Sequence, residues 1–89
     1  MVTVRFTRNL QRHVSCPTEQ VAATTLREAL DTYFTAREVA RDYVLDERGT
    51  LRKHMAAFIN GRQIEDRRHL TDRLEENAVI DIVQSLSGG

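Results

Sequence analysis

From Val2 to Thr7 apolar and polar residues alternate: Val2, Val4 and Phe6 against Thr3, Arg5 and Thr7. That period of two belongs to a strand with one face on a core and the other in water. Polar "RNLQ" follows, then "RHVSCP", in which Val14 and Cys16 continue the apolar face. Pro17 ends it, having no N–H for a ladder. Two strands about a short polar link predict an N-terminal hairpin. In "TLREALDTYF" the period changes. Leu26, Ala29, Leu30, Tyr33 and Phe34 fall at the spacing of one helical face, and Thr25 with Glu28 forms a capping box for the first turn. Thr35 with Glu38 repeats the cap, and Ala36, Val39, Ala40, Tyr43 and Val44 repeat the stripe. A second short helix is expected, after a change of direction near Thr35.

"LDERGTL" has the Asp-x-x-Gly spacing of a type I turn. "HMAAFIN" (His54 to Asn60) reads as a strand, and Asn60-Gly61 favours a tight turn because both residues tolerate positive φ. After "GRQIEDRRHLTDRL" comes a turn at Glu75 to Asn77. "VIDIVQ" then sets Ile80 and Ile82 on one face and Val79, Asp81 and Val83 on the other. One amphipathic helix covers one face of a sheet, so the expected class is two-layer α+β. A mixed sheet of four to five strands, one main helix and a second short helix are predicted. The first and last strands pair in parallel at its centre, since the helix supplies the crossover. The expected boundaries are a domain over 1–84 and a flexible diglycine tail over 85–89.

Composition narrows the function. Eighty-nine residues suit one domain, and 40% hydrophobic with 29% charged residues excludes a disordered or membrane chain. The 13 basic and 13 acidic residues cancel, which argues against a phosphate-binding field and so against nucleic acid as a partner. No apolar run approaches the ~20 residues of a membrane span, and no signal-peptide pattern opens the chain. Cys16 is the one cysteine and cannot form an internal disulfide, so a reducing cytoplasm is the expected setting. In its alternating segment it reads as a buried, inert thiol. His13, His54 and His69 have no ligand spacing, and no metal site is expected. The mixed-sign runs "EDRR" and "RDYVLDER" read as solvated surface. There is no nucleotide-binding glycine loop, nucleophile elbow or plausible catalytic dyad in the sequence.

The chemistry that remains is at "QSLSGG". Glycines without Cβ can enter a narrow channel, and five residues from Ser85 to Gly89 reach roughly 17 Å when extended. "FINGRQIEDRRHLTD" followed by "VIDIVQSLSGG" resembles the second half of ubiquitin. The length, the "FINGR" turn and a surface whose only lysine is Lys53 are similar to the bacterial sulfur carriers: the thiamin-pathway carrier, the small subunit of molybdopterin synthase and the cysteine-pathway carrier. The segment "YVLDERGTLRKHMAAFING" is most similar to the last. Two features differ. No proline precedes the glycines, as molybdopterin-type tails have, and Ser85 and Ser87 stand where ubiquitin carries arginines.

The resemblance implies a ubiquitin-like β-grasp fold and a carrier whose Gly89 is adenylated and then holds sulfur as a thiocarboxylate. Gly88, Ser87, Leu86 and Ser85 would form the inserted tail. No cofactor is bound, and ATP is used by the partner. The implied partners are an adenylating enzyme, a sulfurtransferase or synthase subunit, and a metalloprotease that trims the C-terminus. Docking is expected on Phe58, Val79 and Val83, with Arg62 and Asp81 around that apolar patch. Phe58 reads equally well as a core residue. Two alternatives stand beside the carrier. One is a protein modifier conjugated through Gly89 to lysines, the other a plain β-grasp interaction domain.

Overall fold

The computed structural model describes residues 1–84. In chain order these form β1 (Val2–Phe6), α1 (Arg8–Gln11), β2 (Glu19–Val21), α2 (Leu26–Phe34), α3 (Glu38–Val44), β3 (Met55–Ile59), β4 (Arg62–Gln63) and β5 (Val79–Gln84). One five-stranded sheet has the order β2-β1-β5-β3-β4. β1 and β5 run parallel at its centre, with Val4 opposite Ile80 and Phe6 opposite Ile82. The other three pairings are antiparallel. The class is α+β, and the mixed sheet with first and last strands adjacent is as expected.

The core forms where the two periods meet. Leu26, Ala29, Leu30, Tyr33 and Phe34 of α2 are all buried, as are Val2, Val4 and Phe6 of β1 and Ile80 and Ile82 of β5. The Phe6 ring packs against Tyr33 and Phe34, with centroids 5.0 and 6.1 Å away. Thr25 caps α2 by accepting from the Glu28 amide at 3.2 Å. The reciprocal arm is displaced by one residue: the Glu28 carboxylate accepts from the amide and hydroxyl of Thr24, both at 2.8 Å. Those bonds hold the Glu28 carboxyl below its ordinary pKa.

Two expectations are corrected. The segment after β1 is not the second arm of a hairpin. "RNLQ" contains Leu10, which a surface link would leave in water; α1 instead turns it into the core at 0% exposure. Residues 12–18 then form an arch, and β2 begins only at Glu19. Cys16 is buried as expected, but within this arch, and burial raises its thiol pKa. The Tyr33 hydroxyl, whose pKa burial pushes up to about 12, donates to the Pro17 carbonyl and ties the arch to α2. The second correction concerns α3. Its cap at Arg37 has no side-chain hydrogen bond, because the Thr35 hydroxyl donates back to the Asp31 carbonyl at 2.7 Å. Only Ala40 and Val44 of the predicted stripe are buried; Ala36, Val39 and Tyr43 are exposed. A helix of seven residues at the margin of the sheet has too little core beneath it for a full apolar face.

Candidate functional site

The last strand and the open face of the sheet make the candidate site. Two devices fix where β5 begins. Asn60 and Gly61 both have positive φ, 52° and 83°, giving the tight turn between β3 and β4. Asn60 also holds the start of β5: its amide donates to the Val79 carbonyl at 2.8 Å and its Oδ1 accepts from the Val79 amide at 2.9 Å. The second device is the loop "EDRRHLTD". Asp72 accepts from the amides of Glu65 and Asp66, while its carbonyl and that of Leu70 accept from Leu26 and Arg27 of α2. Leu70 is fully buried and takes a left-handed φ of 57°, a conformation maintained by that surrounding network.

Pleating turns Val79, Asp81 and Val83 away from α2. The register then sets a row across the open face: Arg5, Asp81, Phe58 and Gln63. Arg5 grips Asp81 at both oxygens, Nε to Oδ1 at 2.7 Å and Nη2 to Oδ2 at 2.9 Å. The pair is partly in water, so its contribution to stability is small, but it fixes a charged bar in the middle of the face. Toward the end of β5, Val83 stands opposite Ala56 and diagonal to Phe58. All three are half-buried, so the patch is partly covered and partly open.

Of the expected docking residues, Phe58, Val79, Asp81 and Val83 thus share one face. Arg62 does not. The two-residue turn places it directly opposite Ile59, and it inherits the helix-side face of Ile59 and Ile80. Gln63 takes the position beside Phe58. Arg5 and Ala56 were missed, although the predicted parallel pairing of the first and last strands already places Arg5 near Asp81. Ser85, Leu86, Ser87, Gly88 and Gly89 lie outside the described residues.

Elsewhere, a cleft of about 750 Å³ between α3 and residues 13–15 is lined by His13, Arg37, Glu38 and Val39. Arg37 is committed there, bonded to Glu19 and to the Tyr33 carbonyl. Among the described residues no group of three or more His, Cys, Asp or Glu side chains is placed to hold a metal ion, and no helix is long and apolar enough to cross a membrane.

No protein-family model matches the chain, and no curated protein sequence matches it. Solved structures do match. SAMP1 of Haloferax volcanii, a small archaeal modifier protein, is 20% identical, with a TM-score of 0.80 over 99% of this chain and 98% of its own. The match in the BexX/CysO complex of Amycolatopsis orientalis has 17% identity and a TM-score of 0.81 over 100% of both chains. Urm1 of Sulfolobus solfataricus has 20% identity and a TM-score of 0.69 over 92% of this chain and 97% of its own. The fold is therefore the ubiquitin-like β-grasp.

Proposed function

We propose that this chain is a carrier protein that acts through Gly89 as the substrate of other enzymes. The Gly89 carboxylate, at the end of the chain or freed by a trimming metalloprotease, attacks the α-phosphate of ATP on an adenylating enzyme and releases pyrophosphate. A carboxylate resists nucleophiles because it is already anionic; the acyl-adenylate provides a leaving group. Sulfide then attacks the acyl carbon, the bond to AMP breaks, and a thiocarboxylate remains. Ionised sulfur is the nucleophilic form, ready for transfer to a cofactor or cysteine precursor. The chain supplies no catalytic group; its fold presents the tail and the docking face, and a reducing cytoplasm keeps the sulfur transferable.

One observation carries this reading: β5, clamped at Val79, leads from the middle of the sheet to Gln84 beside the Ala56, Phe58 and Val83 patch, and Gly-Gly follows within five residues. The match to a β-grasp chain in the BexX/CysO complex adds support, because that fold is there assembled with a partner. A second reading, a modifier joined through Gly89 to lysines, is favoured by the match to a small archaeal modifier protein. The test is release of pyrophosphate from ATP by the adenylating enzyme of the same cells. Full-length chain is expected to support it and the Gly89 deletion to abolish it, with the unfolding midpoint unchanged. Undiminished activation of the deletion would sink both readings.

A further inference from the structure

The register decides which end of the molecule the tail leaves. Gln84 is opposite Met55, and Ile82 is opposite Phe6, so the exit is flanked by α1, which follows β1, and by residues 52–54, which precede β3. Neither flank carries an acid. Met1 to Thr18 contains Arg5, Arg8 and Arg12 and no Asp or Glu; Thr50 to Ile59 contains Arg52 and Lys53 and again none. Arg8, Arg12 and Lys53 are exposed, and among the described residues none of them is in an ion pair. Arg67 adds a charge at this end, its guanidinium donating to the carbonyls of Arg52 and Met55 at 2.8 and 2.7 Å.

At the opposite end of β5 the signs are mixed: Glu75 and Glu76 are exposed just before Val79, and Arg62 and Arg73 are exposed beside them. A six-residue strand separates the two ends by about 20 Å. The nearby carboxylates, Glu38 and Asp42 of α3 and Asp46 and Glu47 after it, are accompanied by Arg41, Arg48 and Arg52, the last sharing clefts with Asp42 and with Asp46. Arg37 and Glu19 pair with each other. In a chain of zero net charge, the end at which β5 stops therefore carries an excess of exposed positive charge, while the other end is mixed.

We propose that Arg8, Arg12, Lys53 and Arg67 form a docking collar for a carboxylate-rich surface around the opening through which the adenylating enzyme receives Gly88 and Gly89. This deepens the carrier reading and rests on it. The positive excess at this end orients the chain tail-first during encounter, and the apolar patch then holds the complex. Arg8, Arg12 and Lys53 are exposed, so their reversal is expected to leave the fold intact, which circular dichroism can verify.

The experiment is stopped-flow association of the full chain with the adenylating enzyme of the same cells, from about 20 to about 500 mM salt. The wild-type rate is expected to fall steeply with salt. The variant Arg8→Glu/Arg12→Glu/Lys53→Glu is expected to associate about tenfold or more slowly at low salt, with a flattened salt dependence and a nearly unchanged dissociation rate. The Gly89 deletion should keep the wild-type association rate while losing adenylation. Equal rates and salt slopes for wild type and variant would overturn the collar and leave the carrier reading standing. Wild-type chain that is never adenylated would overturn both. Binding to duplex DNA or anionic vesicles with the same sensitivity to the variant would assign the collar to another polyanion and overturn the proposal.

Discussion

Asp66 accepts hydrogen bonds from the amides of Arg68, His69 and Thr71 and from the Thr71 hydroxyl, at 3.2, 2.9, 3.2 and 2.5 Å. The stretch from Ile64 to Leu74 crosses α2 without forming a strand or helix, so its backbone groups need side-chain partners of this kind. The bonds to the ionised form, that from His69 foremost, lower the Asp66 pKa from 3.8 to about 2. A depressed pKa stabilises the fold above the unfolded value and loses that contribution as pH falls through the folded one. Asp66→Asn is therefore expected to lower the unfolding temperature by several degrees at neutral pH. The gap from wild type should narrow below pH 3.8 and close near pH 2. Thermal unfolding followed across that range checks it, and a gap independent of pH would mean that the charge does not hold the loop.

At the scale of the element, β5 has one face in the core and one on the open side of the sheet. Ile82 is fully buried under the helix layer, whereas Val83 is half-buried beside Ala56 on the open face. Ile82→Asp buries an unpaired charge, which costs several kcal/mol against a total of ~5–15 kcal/mol, and should leave no folded protein. Val83→Asp keeps its charge hydrated and should cost about 1 kcal/mol, mostly from strand propensity. In the proposed complex with an adenylating enzyme that charge would be covered, and affinity should fall tenfold or more. Denaturant melts paired with calorimetric titration separate the two. Equal loss of fold by both variants would remove the docking face from β5. This division was legible in "VIDIVQ", as was α2 in its apolar spacing, because each element has a strong period and a core to meet. The arch of residues 12–18 was not legible: one apolar residue, Leu10, decides it, and only the position of β1 over α2 shows that Leu10 has somewhere to go. The same holds for Arg62, whose face depends on the number of residues in the turn before it. Val39 and Tyr43 have the spacing of a buried stripe yet lie outside it, since a period cannot say where the sheet ends.

At the scale of the whole molecule, the proposed carrier is a presenter of its C-terminal residues. The sheet and α2 form one core, the loop over 64–74 fastens the crossover, and β5 carries the chain from the centre of the sheet to the basic end of the molecule. That arrangement fixes the direction and surroundings from which Ser85 to Gly89 start. A carrier and a modifier would share these requirements and diverge only in what Gly89 is joined to. The direct test is the intact mass of the full chain purified from its own cells under reducing, thiol-free conditions. The carrier reading predicts a species ~16 Da heavier than the encoded chain, one oxygen replaced by sulfur, that takes up one further alkyl group on iodoacetamide treatment and vanishes when Gly89 is deleted. Recovery of only the unmodified carboxylate, or of Gly89 in amide linkage to lysines of other proteins, would contradict it.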